Sequence, residues 1–285
     1  MSKWMVAAKR ADFNAIAEKY KISPVLARII RNRDVVEDRD IDKFLNGTRA
    51  QLYAPNLLKD MDKAVDILLQ KIAEEKQIRI IGDYDIDGIC STYILYKGLM
   101  ECGAHVDTAI PHRIRDGYGL NEHLIQEAYD AGTDTVLTCD NGIAAYDQIE
   151  FANTLGMTVI VTDHHEVPYD EADGIRQYKV PHARAVIDPK QEDCGYPFAE
   201  ICGAVVAYKL VLALIAKKER MDWQDVMESE IGLELLEFAA FATIGDVMEL
   251  RDENRIIVKS GLELMAHTRN VGLKALMQAT GTDPA

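Results

Sequence analysis

Three short apolar runs in this chain each empty into acidic or imidazole side chains, and that recurrence restricts the fold more than any other feature. The run at 78–81 leads into Gly82-Asp83-Tyr84-Asp85-Ile86-Asp87-Gly88, the run at 135–138 into Cys139-Asp140-Asn141-Gly142, and the run at 158–162 into Asp163-His164-His165. With two more at 105–110 and 185–187 they make a series of β-branched segments, separated by helical stretches near 91–102, 121–131 and 144–155. Continuous apolar runs suit strands buried on both faces, and their alternation with helices argues for βαβ units. The expected fold is α/β, a parallel five-stranded sheet sandwiched by helices. Longer apolar helices follow near 199–216 and 233–243, with helical pattern on to Met277. Ahead of the sheet, Phe13, Ile16, Ala17 and Tyr20, then Val25, Leu26, Ile29 and Ile30, recur at helical spacing around the helix-start signal Ser23-Pro24. Residues 62–75 read as an amphipathic helix that feeds the first strand.

In an open parallel sheet, ligands bind in the crevice outside the carboxyl ends of the strands, so residues distant in sequence meet there. A solvated loop accounts for any one acidic cluster; three clusters at the same end of neighbouring strands point to a shared site. The Asp-x-Asp-x-Asp-Gly string first resembles an EF-hand loop. Its twelfth position is Ile94 rather than a bidentate Glu, however, and a strand rather than a helix precedes it. Three carboxylates at alternate positions of an extended segment project to one side, where their repulsion calls for a divalent cation. Carboxylates with imidazole and no thiolate suit Mn²⁺, with Mg²⁺, Co²⁺ and Fe²⁺ behind it, and argue against structural zinc. If strand geometry continues, His164 and His165 point opposite ways, one to metal and one to substrate. His105, His123 and His267 lack such company and read as surface or core residues.

Two further segments are candidates. Pro111-His112-Arg113-Ile114-Arg115-Asp116-Gly117-Tyr118-Gly119 has the composition to hold a phosphate and stack a base, and also that of a glycine-rich turn. Thr243-Ile244-Gly245-Asp246-Val247 leaves one acid after an apolar helix, and spacing does not decide between a ligand and a solvated turn.

Thirty-two Lys and Arg against 47 Asp and Glu give a net charge of −15, so the overall field repels polyanions and any grip on nucleic acid must be local or metal-mediated. No uncharged apolar run approaches the roughly 18 residues of a membrane span. The opening MSKWMVAAKRADF places charges where a signal peptide needs apolar residues, so a cytoplasmic protein is expected. Cys90, Cys102, Cys139, Cys194 and Cys202 form no Cys-x-x-Cys pair and read as reduced core residues. The chain has no P-loop string, no Gly-x-Ser-x-Gly elbow and no Gly-x-Gly-x-x-Gly fingerprint.

Taken in order and rough spacing, Asp83-Tyr84-Asp85-Ile86-Asp87-Gly88, Cys139-Asp140-Asn141-Gly142-Ile143, Asp163-His164-His165 and Gly245-Asp246-Val247 resemble the four motifs of the DHH phosphoesterase superfamily. Within it the chain resembles the N-terminal part of the RecJ-type family of 5′→3′ single-strand-specific DNA exonucleases, with matching texture at 55–64, 117–121, 203–210 and 254–262. The resemblance implies that Asp85 and Asp87, with Asp83 nearby, meet Asp140, His164 and Asp246 around two Mn²⁺ or Mg²⁺ ions, with Asp140 bridging. It also implies that His165 contacts the scissile phosphate, that Asp163 orients a histidine, that Arg113 contacts phosphate and that Tyr118 stacks on the substrate. The implied activity is metal-dependent phosphodiester hydrolysis of single-stranded DNA in repair or recombination. The implied organisation is an N-terminal helical region over 1–76, a DHH catalytic domain over 77–250, and over 251–285 the start of helices leading to a further domain. An N-terminal fragment of a longer protein is therefore expected. Cys90 and Glu249 depart from the family pattern, which more often has Thr or Ala and Pro there, and an added acid near the cleft works against phosphate binding. Pyrophosphatase relatives begin the first motif with a His where this chain has Ile81. A phosphodiesterase for short oligonucleotides, cyclic dinucleotides or nucleoside bisphosphates, and an inactive scaffold of the same fold, are the alternatives.

Overall fold

The computed structural model describes residues 9–114, 119–172 and 174–282. Three short helices come first: α1 (Phe13–Tyr20), α2 (Pro24–Asn32) and α3 (Asp38–Asn46). The Ser23 hydroxyl accepts the Leu26 amide at 3.2 Å and Pro24 occupies the first turn of α2, where its missing N–H costs nothing. Next are α4 (Met61–Ala73), β1 (Gln77–Ile81), α5 (Ile86–Glu101), β2 (His105–Ala109), α6 (Glu122–Asp130), β3 (Thr135–Cys139), α7 (Tyr146–Thr154) and β4 (Thr158–Thr162). A hairpin of β5 (Tyr169–Ala172) and β6 (Ile175–Tyr178) precedes β7 (Ala185–Ile187). The chain continues through α8 (Gly203–Glu219), α9 (Trp223–Met227), α10 (Glu230–Gly245), α11 (Asp252–Met265) and α12 (Val271–Thr280).

The main sheet has five parallel strands in the order β2-β1-β3-β4-β7, as the alternation of β-branched runs and helices requires. Successive side chains leave opposite faces of a strand, and the two cores follow that alternation. Ile78, Ile80, Leu137, Cys139, Ile160 and Ile187 face α4, α5, α8 and α10. Ile81, Val136, Val159, Val161 and Val186 face α6 and α7. Each fully buried aliphatic side chain contributes roughly 1.5–3 kcal/mol, which is why the mid-strand positions of β4 are all aliphatic, whereas half-buried Arg79 at the centre of β1 pairs with Asp107 at 2.6 Å. A smaller cluster of Ile30, Val35, Ile41 and Phe44 holds α2 and α3 together. The Arg255 Nε–H donates to the Phe44 carbonyl at 2.6 Å, tying that cluster to α11. Buried Lys209 on α8 pairs with buried Glu253 on α11 at 3.1 Å and also donates to the Tyr53 carbonyl at 2.8 Å. Among the described residues no helix is long and apolar enough to cross a membrane.

Two expectations change. Helix α5 starts at Ile86 rather than near Ser91, because Asp85 is its N-cap and accepts the Gly88 amide at 2.9 Å. The β5–β6 hairpin is invisible in the hydrophobic pattern, since every described strand position in it is exposed and neither face has a core to alternate against. Its strands are held by pairing and by the Tyr169 and Tyr178 rings, 5.6 Å apart.

The strand order reverses between β1 and β3: the chain steps from β1 outward to β2, then returns across β1 to β3. Helices leave to opposite faces on either side of that junction and open a crevice at the carboxyl ends of β1 and β3. Backbone bonds carry the ladder one residue beyond the strands. The amides of Gly82, Asp140 and Asp163 donate to the carbonyls of Ala109, Thr162 and Ile187 at 3.1, 3.1 and 3.0 Å. The three motifs therefore begin level with one another.

Candidate metal centre

Asp83 leaves β1 fully buried, and both carboxylate oxygens lack a hydrogen bond of normal geometry. Burial raises its pKa, with Asp85 adding to the effect and the Tyr84 and Gly119 amides partly offsetting it. Asp85 is exposed at the α5 N-cap. Asp87 lies in the first turn of α5, 1% exposed, and its carboxylate accepts the Gly203 and Ala204 amides at 2.6 and 2.9 Å. It thereby caps α8 from outside, where the helix presents unpaired N–H groups and the positive end of its dipole. The reading of Asp83, Asp85 and Asp87 as alternate residues of one extended segment is thus corrected. The segment is a strand-to-helix turn, and it aims the three acids along different directions into one crevice.

Asp140 follows β3 in the left-handed region, φ +58°, a conformation that Asp tolerates better than most residues and that turns its side chain toward Asp87 and His164. Burial and the nearby Asp87 and Asp85 carboxylates push its pKa far up. The His164 Nε2 lies 3.1 Å from Asp140 Oδ1, 3.5 Å from Asp87 Oδ2 and 3.8 Å from Asp246 Oδ2. Asp246 is the half-buried C-cap of α10, so the acid that spacing left undecided does reach the cluster. Burial raises its pKa, and Asp87 adds to the rise.

The Asp163 side chain is buried, and it accepts the Ile143 amide at 2.8 Å, the His164 amide at 2.7 Å and the His165 Nδ1–H at 2.7 Å. Burial opposes its charge, but the His165 bond and these amides outweigh that and hold its pKa below the usual value. The same bond raises the pKa of His165. The expected divergence of His164 and His165 is only partly met. β4 ends at Thr162, strand alternation no longer applies, and the two rings sit 4.6 Å apart on the same side of the crevice. Arg113 is exposed and lies over the Tyr84 ring at 5.1 Å. Tyr118 lies outside the described residues. His105, His123 and His267 are exposed and away from the cluster. Cys90, Cys139 and Cys202 are buried beneath it, and burial pushes all three thiols up, so none is a thiolate ligand or nucleophile in this environment.

Three sets of potential ligand atoms each lie within 4.8 Å of one another: Asp83, Asp85 and Asp140; Asp87, His164 and Asp246; and Asp140, His164 and His165. Asp140 and His164 each belong to two of them. No Lys or Arg among the described residues pairs with Asp83, Asp85, Asp87 or Asp246. Buried like charges at this spacing suppress one another's ionisation unless a cation joins them, and an oxygen-rich set with imidazole fits a hard or borderline divalent ion.

Two contributors escape the sequence reading. Asp188 ends β7 fully buried, with Oδ2 unpartnered and its pKa pushed up to about 7 by burial and by Asp163. It obeys the strand-end rule that singles out the other acids and could have been found by applying that rule to the fifth strand. Gly203 is the second. A Cβ there would meet Asp140 Cβ at 2.9 Å and Asp87 Oδ2 at 3.0 Å, so only glycine lets α8 approach the acids closely.

A parallel sheet with carboxylates and imidazoles converging at its switch point is the architecture of a DHH-type domain. Residues 77–243, more than half of the chain, match the DHH family N-terminal domain, and the chain belongs to that family. It is 36% identical to the single-stranded-DNA-specific exonuclease RecJ of Bacillus subtilis over 282 residues, covering 99% of this chain and 33% of that protein. The match to RecJ of Escherichia coli is 31% over 288 residues, covering 99% and 47%. Among solved structures, an exonuclease RecJ bound to manganese superposes with a TM-score of 0.67 at 32% identity, covering 82% of this chain and 55% of that one. RecJ of Thermus thermophilus in complex with Mn²⁺ superposes with a TM-score of 0.71 at 28% identity, covering 95% and 36%. The chain therefore spans between a third and a half of the length of these two curated relatives.

Proposed function

We propose that the chain carries the catalytic core of a divalent-metal-dependent exonuclease that hydrolyses single-stranded DNA from its 5′ end. The observation that carries the reading is the carboxylate and imidazole cluster at the β1–β3 switch point, whose potential ligand atoms fall into three sets, each within 4.8 Å. Asp83, Asp85, Asp87, Asp140, His164 and Asp246 would hold the metal. Asp140 and His164 each join two of the ligand groupings, which favours more than one ion held by this set, Mn²⁺ first and Mg²⁺ second. Bound there, such ions lower the pKa of a coordinated water and neutralise charge on the attacked phosphate.

The protein's own groups supply position and proton control. Asp163 accepts the Nδ1–H of His165, which fixes the ring plane and favours the doubly protonated imidazole, whose Nε2–H would donate to a non-bridging phosphate oxygen. Asp87 ties the cluster to the N-terminus of α8, whose residues from Gly203 to Leu212 are buried, so this acid is held against a rigid helix. Arg113, exposed and over the Tyr84 ring, would contact the strand's phosphates. At a net charge of −15 the protein depends on bound cations and a few such arginines to reverse the field locally. The preference for single strands rests on similarity to proteins named single-stranded-DNA-specific exonucleases, and the 5′ polarity on the motif resemblance.

A substrate series tests the reading. With Mn²⁺, a long single strand should be degraded faster than a duplex of the same sequence and faster, per terminus, than a dinucleotide. Preference for the dinucleotide would sink the single-strand assignment and favour a short-oligonucleotide phosphodiesterase.

A further inference from the structure

Beside the carboxylate cluster a cavity of about 330 Å³ opens between the β3–α7 turn and the segment entering α6, lined by Leu120, Ile143, Ala144, Ala145, Gln148 and His165. Of its lining, only His165 and Asp163 enter the metal reading. The walls are small or aliphatic, and Leu120 and Ile143 are buried. Gln148 projects from α7 half-buried, and its amide has no hydrogen-bond partner among the described residues. Glu166 at the rim is engaged by Lys190 at 2.9 Å, which tempers the carboxylate there. At the other end stands His165, its Nδ1 already committed to Asp163. The cavity thus offers a largely apolar body, one amide able both to donate and to accept, and an imidazole at its mouth. Its volume is at the low end of the roughly 300–1,000 Å³ typical of small-ligand sites, enough for a single nucleoside.

We propose that this cavity is a nucleoside pocket, in which a nucleotide flanking the scissile phosphate lays its base against Ile143 and Ala144 and hydrogen-bonds its edge to Gln148. The assignment rests on the phosphodiesterase reading above and adds to it the component that recognises the base. A glutamine amide rotates to match either order of donor and acceptor, so the pocket grips a base without selecting one. That is the requirement for an enzyme that degrades strands of any sequence.

Calorimetric titration of the 285-residue chain with deoxyadenosine 5′-monophosphate and with deoxyribose 5-phosphate, each in Mn²⁺ and in EDTA, tests the pocket. The nucleotide should bind about tenfold more tightly than the sugar phosphate in Mn²⁺, the margin expected for one stacked and hydrogen-bonded base. Gln148→Ala should erase most of that margin. Ala144→Trp, which fills the cavity from an exposed rim position, should do the same, with circular dichroism confirming that both variants fold. Equal affinity for the two ligands, lost in EDTA, overturns the pocket and leaves the metal site standing. A margin that survives in both variants also overturns it. Failure of either ligand to bind in Mn²⁺ overturns the pocket and the phosphodiesterase reading together.

Discussion

Gly203→Ala perturbs the candidate metal centre without altering any ligand. The added methyl would sit 2.9 Å from Asp140 Cβ, 3.0 Å from Asp87 Oδ2 and 3.1 Å from Asp140 Cα, where ordinary contact begins near 3.4 Å. Something must therefore move by 3.4 − 3.1 to 3.4 − 2.9, about 0.3–0.5 Å. Helix α8 cannot retreat, since its residues from Gly203 to Leu212 are all buried. The Asp140 backbone is held by Thr162, so the Asp87 and Asp140 carboxylates take up the displacement. Overpacking of this kind costs about 1–3 kcal/mol, or about 2–5 °C of melting temperature in a chain of 285 residues. Disturbing groups that orient metal ligands costs about 10–100-fold in affinity. At saturating Mn²⁺ that removes about 1.4–2.7 kcal/mol of metal-induced stabilisation. Thermal denaturation with and without MnCl₂ reads both effects. Gly195→Ala is the matched control, because a Cβ there meets nothing within 4 Å. A Gly203→Ala protein with the parental melting temperature and the parental Mn²⁺ shift would refute the argument that close approach of α8 sets the site.

Other substitutions test the electrostatics. Asp140→Asn should raise the melting temperature in EDTA, because burial with Asp87 and Asp85 disfavours its charge, and should abolish the Mn²⁺-induced shift; a retained shift removes Asp140 from the ligand set. Asp188 has a folded pKa of about 7 against 3.8 unfolded, so the folded state keeps a proton that the unfolded state has lost, and metal-free stability falls as pH rises from about 4 to about 7. Asp188→Asn should therefore gain up to about 4 kcal/mol over the parent at pH 8 and nothing near pH 4 in urea denaturation, and a pH-independent difference contradicts this. Lys209→Met leaves Glu253 buried without its cation and should cost about 3–5 kcal/mol, while adding Glu253→Gln should restore much of the loss; a single variant of parental stability shows that the pair is not a clamp.

The fold was largely legible because β3, β4 and β7 are buried on almost every residue and so spell themselves as short apolar, β-branched runs, and β1 does so apart from Arg79. The hairpin was not, since residues that bury neither face carry no period. The site acids were legible as strand-end residues, with Asp246 the exception. It reaches His164 from a helix C-terminus, and family resemblance rather than spacing singled it out. Geometry within the first motif was not legible, because the N-cap bond of Asp85 begins α5 inside the string and turns Asp87 toward α8. Gly203 was silent for a related reason: its importance lies in a side chain it lacks, next to acids distant in sequence.

Cleavage of a long single-stranded DNA labelled at one end or the other, with Mn²⁺, with EDTA and with Asp140→Ala in parallel, tests the central claim most directly. The account predicts mononucleotides released from the 5′ end in Mn²⁺, with no release in EDTA or in the variant and an unchanged circular dichroism spectrum for Asp140→Ala. Cleavage that persists in EDTA, or unchanged turnover in Asp140→Ala, would contradict it.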